Sequence, residues 1–170
     1  DSTPVFVAGQ TRRGSSSDDA SFSTSVPAML KITTDTSVSE TTNSIADPLL
    51  QDLVIGELVD YAITITLPEG TIDNAIIQDN LPLAASGTLM EVVSASIAQV
   101  GANVSSTLPG TPAITDSDID TINDQVIFDF GTITNLPDGI VDAQDQLTVL
   151  ITARLLDDVI NTQGDVAVNQ

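Results

Sequence analysis

The sequence predicts an all-β fold, a sandwich of antiparallel sheets, on three observations. Residues 56–82 (GELVDYAITITLPEGTIDNAIIQDNLP) carry a strand of strict period two: Tyr61, Ile63, Ile65 and Leu67 alternate with Ala62, Thr64 and Thr66. That spacing sets large apolar groups on one face and small or hydroxyl groups on the other. The acid is nearly all Asp, with 20 Asp against 4 Glu. Asp favours turns and caps, whereas helical surfaces use Glu and Lys. Aromatic residues make up 3% of the chain against 41% hydrophobic residues, so the core is built from Val, Ile, Leu and Ala, and the frequent Thr adds β propensity.

The elements follow in order. Residues 1–28 differ from the rest: a short apolar run (Val5, Phe6, Val7), a basic pair (Arg12, Arg13), a Ser/Asp cluster and a second short extended segment ending at Pro27. They read as an N-terminal arm or linker, or as a hairpin packing on a neighbouring domain. Residues 29–34 (MLKITT) read as a first strand, and 35–47 as a polar loop. Residues 48–58 suit a helical turn or an irregular strand ended by Gly56. The central strand follows. Pro68, Glu69 and Gly70 break it, and Ile72, Ala75, Ile76 and Ile77 resume it as far as Asp79. Residues 89–100 form a strand with Val93, Ala95 and Ile97 as one alternating set. Residues 101–124 read as a long excursion. Residues 125–135 are a strand with Val126, Phe128 and Phe130 on one face, and Pro137, Asp138 and Gly139 signal a turn. Residues 146–156 alternate Leu147, Val149, Ile151, Ala153 and Leu155 with polar neighbours; 165–170 read as a last strand. Seven to nine strands with no long helix fit an immunoglobulin-like β-sandwich over residues 29–170, preceded by the extended arm.

Composition removes several functions. The chain of 170 residues has 24 acidic and 4 basic residues, which argues against nucleic acid and anionic membrane surfaces, since both need Lys and Arg. No apolar run reaches the 18 or so residues of a membrane span. There is no Cys and no His, so disulfides, thiol chemistry, most transition-metal sites and the usual general base are absent. A carboxylate-pair glycosidase needs only Asp or Glu, but its groove wants aromatic platforms, and the chain has one Tyr, four Phe and no Trp. Enzymatic turnover is therefore not expected, and no cofactor is required; the Asp excess makes association with Ca²⁺ or Mg²⁺ plausible.

Several segments occur in a telling order: Gly56-Glu57, the YAITIT strand, Asp79-Asn80-Leu81-Pro82, the VIFDFGTITN strand, LTVLITAR, and Gly164 followed by Asn169. This order resembles the repeated Ig-like domain of large bacterial surface proteins, the DUF11 or conserved-repeat type. It is also similar to the isopeptide-forming domains of pilins and adhesins of the CnaA kind. The resemblance covers roughly residues 29–170 and implies that residues 1–28 are the tail of a preceding repeat. By the same resemblance, the first-strand Lys31, the chain's only lysine, is placed to attack the carboxamide of Asn169 in the last strand, with release of ammonia. Asp79 stands where the family's assisting carboxylic acid stands. The alternative for Asp79 is a plain strand-ending turn residue, and for Lys31 and Asn169 a structural role without a bond.

A second constellation is acidic. Asp116, Asp118, Asp120 and Asp124 place oxygens at i, i+2, i+4 and i+8, which resembles the start of a calcium loop without the EF-hand's Gly and terminal Glu. Read plainly, it is a solvated turn. Asp138, Asp142 and Asp145 form a second acidic turn. The functional expectation is a structural repeat of an extracellular bacterial adhesin, stalk or filament, partnered by like domains. The alternatives are a self-assembling fibre subunit whose arm donates a strand, and a Ca²⁺-dependent adhesin module using the 101–124 loop to bind a ligand.

Overall fold

A computed structural model describes residues 26–38, 53–84 and 87–157, and the regular structure among these residues is all β apart from one short 3-10 turn. The strands are β1 (Ala28–Thr36), β2 (Leu58–Thr66), β3 (Gly70–Asn80), β4 (Leu83–Ala84), β5 (Gly87–Thr88), β6 (Met90–Val100), β7 (Val104–Ser106), β8 (Pro112–Thr115), β9 (Gln125–Asn135) and β10 (Gln146–Leu155). One antiparallel sheet has the order β1-β2-β10-β6; a second has β3-β9-β7, with β8 also pairing β9. β4 and β5 form a small ribbon of their own. The expected arm lies almost wholly outside the described residues, as does the expected last strand over 165–170.

The alternation read from β2, β9 and β10 is the core. Val59, Ile63, Ile65 and Leu67 meet Leu147, Val149, Ile151 and Ala153 from the neighbouring strand and Val126, Phe128, Phe130 and Ile133 from the other sheet, all at most 9% exposed. Each such side chain contributes about 1.5–3 kcal/mol by leaving water. The rings of Phe128 and Phe130 lie 6.5 Å apart and nearly parallel. Gly110 belongs to this packing: it sits at φ +62, and a Cβ there would fall 2.2 Å from Cε1 of Phe130, so only glycine fits.

Two sequence expectations are corrected. Val93 was expected to share a face with Ala95 and Ile97, but it is exposed, while Met90 and Val92 are buried. The register explains this: Ala153 pairs Val92 and Thr152 pairs Ser94, so Val93 is the extra residue of a β-bulge, and one inserted residue flips the face of everything before it. The 101–124 excursion also contains two short strands, β7 and β8, both held by β9.

Each link between the sheets returns the chain close to where it left. Leu67, Pro68 and Glu69 carry β2 into β3, and residues 136–145 carry β9 back to β10. The second crossing is fixed by buried polar groups. Asn135 donates from Nδ2 to the Leu67 carbonyl at 3.0 Å, and the Leu67 N–H donates to the Asp145 carbonyl at 2.9 Å. Asp142 and Asp145 cap the 3-10 turn reciprocally, so an exposed acidic stretch of sequence becomes a buried joint.

Candidate functional site

Lys31 and Asp79 come from different sheets and meet between them. Lys31 in β1 lies opposite Ile63 in β2, and directly opposed residues share a face, so its side chain takes the inner side. Asp79 is the penultimate residue of β3, opposite Val126 and two after Ile77, both buried, so period two turns it inward as well. The Nζ of Lys31 donates a hydrogen bond to Oδ1 of Asp79, forming an ion pair with side-chain exposures of 14% and 3%. Nζ also lies 5.1 Å from the ring centroid of Tyr61, a cation–π contact, while the Tyr61 hydroxyl reaches Sδ of Met90 at 3.8 Å. Oδ2 of Asp79 is buried with no hydrogen-bond partner.

The electrostatics follow from this placement. Burial pushes the Lys31 amine below its ordinary 10.5, and the hydrogen bond and negative charge of Asp79 pull it part of the way back, leaving it lowered. Such a pair is one proton transfer from a neutral amine facing a neutral acid. A neutral amine is a nucleophile, and a neutral buried acid can donate to a carbonyl. The third expected member, Asn169, lies outside the described residues. Tyr61 was read only as a core residue; its position two before Ile63, the residue opposite Lys31, is the signal that puts its ring beside the amine.

The structure brings Asp116, Asp118 and Asp120 together, with one carboxylate oxygen from each within 4.8 Å of the others, and sets Asp124 apart. Asp124 is fully buried and accepts from the backbone N–H and hydroxyl of Ser117 at 2.6 and 2.5 Å. Asp116 holds the loop itself: Oδ1 accepts from the backbone N–H groups of Asp118, Ile119 and Asp120, and Oδ2 from that of Thr121 at 2.7 Å. Desolvation would raise its carboxyl, but these backbone bonds outweigh it and hold the group below its ordinary value. They also tie down the loop where Ile119 and Thr121 take positive φ values of 67° and 80°. Asp120 bonds the Thr88 hydroxyl at 2.7 Å. Asp118 is pushed up by desolvation and by the charges of Asp120 and Asp124. The cluster is thus a hydrogen-bonded turn with one strained carboxylate.

The second acidic turn is a joint. Asp145 is buried, its Oδ1 accepts from Asn103 Nδ2 at 3.2 Å and its Oδ2 from the Asp142 N–H at 3.0 Å. Asp138 accepts from the same Asn103 amide at 2.9 Å. No protein-family model, curated protein or solved structure matches this chain, so the functional reading rests on the residues and their geometry.

Proposed function

We propose that this chain is a structural Ig-like β-sandwich module of an extracellular bacterial surface protein, an adhesin, stalk or filament, fastened internally by an amide bond between Lys31 and Asn169. The observation that carries the reading is the Lys31–Asp79 pair: the chain's only lysine, drawn between the sheets, beside an acid whose second oxygen has no partner. A protein-free surface role for that lysine would leave it in water. The resemblance to DUF11 and CnaA-type domains supports the same assignment of Lys31, Asp79 and Asn169.

The chemistry balances with the groups named. Asp79 takes a proton from Nζ, leaving a neutral amine and a neutral carboxylic acid. Nζ adds to Cγ of Asn169 while Asp79 donates to the carboxamide oxygen, so no full negative charge builds up in the apolar interior. Asp79 relays one of the two remaining Nζ protons to Nδ2, the C–Nδ2 bond breaks and ammonia leaves, and the carbonyl oxygen returns its proton to Asp79 as the new amide keeps the last Nζ hydrogen. Holding the reactants together can supply about 7–11 kcal/mol of the barrier reduction. The step occurs once per chain and is not turnover. In a chain without cysteine the bond does the work of a disulfide. Closing a loop of this length stabilises by about 4–5 kcal/mol on the chain-entropy model.

Intact-mass measurement tests it. The folded chain is expected to weigh about 17 Da less than its sequence, one ammonia lost in amide formation, and the deficit is expected to vanish in Lys31→Ala and Asn169→Ala. An undiminished mass in a folded wild-type chain would overturn the bond.

A Ca²⁺-dependent adhesin module is the second reading, favoured by the converged oxygens of Asp116, Asp118 and Asp120. In that case the ion would draw on the repelled Asp118 carboxylate. The fibre-subunit alternative rests on residues 1–28, whose first 25 positions lie outside the described residues.

A further inference from the structure

Tyr61 is the chain's only tyrosine, and it stands in an aliphatic row. The other inward residues of β2 are Val59, Ile63 and Ile65, and Ile151 lies directly opposite it in β10. No other aromatic residue occurs in β1, β2, β6 or β10. Packing alone calls for another Ile or Leu at this position. What sets it apart is its diagonal neighbour. Lys31 is opposite Ile63 and Thr33 is opposite Tyr61, so Lys31 and Tyr61 are diagonal partners on the inner face, a separation that long and aromatic side chains span. The ring is fixed from its far side. Its hydroxyl meets Sδ of Met90, a fully buried residue of β6, two strands from β2 in the sheet order. Held by that end, the ring offers its face and not its polar tip to the amine, and Nζ lies over the face, 5.1 Å from the centroid.

We infer that Tyr61 is a positioning residue for Lys31: its ring face holds the ammonium against Asp79 and keeps the pair ionic until Nζ hands its proton to Asp79. The reason is electrostatic. The negative face of an aromatic ring attracts a cation and has far less hold on a neutral amine. Desolvation drives the Lys31 amine down and Asp79 pulls it back; the ring acts on the same side as Asp79. Asp79 of β3 is the charged group that bears on Nζ among the described residues, and the residues beside the ring from the other strands, Ile151 of β10 and Met90 of β6, carry no charge. This role deepens the proposed amide chemistry and rests on that reading for its consequence. There the amine becomes a nucleophile only after its proton has moved to Asp79, and the ring opposes that transfer. It therefore acts as a brake as well as a guide, holding the chain's only lysine protonated and in place until a carboxamide reaches it.

The test uses the Asn169→Ala chain, in which the amine stays free, made with isotope-labelled lysine. One lysine in the chain gives one ε-carbon signal, so an NMR titration follows Lys31 directly. Tyr61→Phe keeps the ring and removes the phenol from the titration; its midpoint is expected to stay close to that of the parent. Tyr61→Leu is expected to lower the midpoint by about half to one and a half pH units, the shift equivalent to a cation–π contact of ordinary strength, and to abolish the ring-current shift of the lysine ε-protons. Phenylalanines of increasing ring fluorination, installed in place of Tyr61, keep the packing while weakening the negative face. They are expected to lower the midpoint stepwise, and they decide the question even where Tyr61→Leu does not fold. A midpoint that fluorination leaves unmoved would overturn the inference, as would a folded Tyr61→Leu chain titrating at or above the parent. Because no amide forms in these chains, the two ideas fail separately: a missing ammonia deficit in the wild-type chain refutes the bond, and an unmoved midpoint refutes the role of Tyr61.

Discussion

Lys31 and Asp79 illustrate why a buried ion pair is not simply a stabiliser. Their mutual attraction offsets the cost of drying two charges, but removing one partner leaves the other dry and alone. In an Asn169→Ala background, where no amide forms, Lys31→Met is expected to cost about 3 kcal/mol, and the double change Lys31→Met with Asp79→Leu to recover most of it. Urea unfolding of the Asn169→Ala parent, Lys31→Met, Asp79→Leu and the double variant measures this. Equal, additive losses would mean that the pair does not couple. The lowered Lys31 amine adds a pH signature. A folded-state value below the ordinary 10.5 means the unfolded chain holds the proton more tightly. Unfolding therefore takes up a proton, and stability rises with pH across the window just below 10.5. Compared with the double variant as reference, the Asn169→Ala chain is expected to gain stability as pH climbs through that window. A flat or falling difference would contradict the burial argument.

At the scale of elements, what the sequence disclosed depended on how regular each element was. β2, β9 and β10 were legible because each keeps one face in the core and one wetter face over nine to eleven residues, so period two is undisturbed. β6 was misphased because a bulge is a backbone event that no side-chain pattern announces. β7 and β8, three and four residues long, were hidden because their pairing comes wholly from β9 and not from their own composition. The meeting of Lys31 with Asp79, separated by 48 positions, is not readable from spacing at all; it came from resemblance, and the geometry supplied the physical reason. The Asp116–Asp120 turn shows the reverse. Its carboxylate spacing suggested an ion, whereas its hydrogen bonds show a loop tied together by Asp116. This gives a divided expectation for Asp118→Asn. In calcium-free buffer the change removes a carboxylate repelled by Asp120 and Asp124 and should raise the melting temperature. With millimolar Ca²⁺ present, the wild-type chain should close that gap. An ion-independent gain would leave the loop as a turn and nothing more.

For the molecule as a whole, net charge opposes what packing achieves. The chain carries a formal charge of −20, and among the described residues only two ion pairs offset it, Lys31–Asp79 and Arg154–Glu91. The second is exposed and worth little. Self-repulsion of a compact body at this charge favours the unfolded chain, where the same charges stand farther apart. Salt shortens the range of that repulsion from about 30 Å at 0.01 M to about 8 Å at 0.15 M, while the buried Lys31–Asp79 pair is screened far less. Stability is therefore expected to rise with NaCl over this range, on the order of 1 kcal/mol or about 4 °C in melting temperature for a domain of this size. Thermal melts in graded NaCl measure it, and melts in CaCl₂ at matched ionic strength separate screening from binding at the Asp118 turn. A melting temperature that falls with salt would mean that attractive surface pairs, and not repulsion, dominate the electrostatics. The proposed cross-link would set the size of the effect: a chain with Lys31 joined to Asn169 could not expand freely when unfolded, so repulsion would be relieved less on unfolding. The salt response of the wild-type chain should therefore be smaller than that of Asn169→Ala.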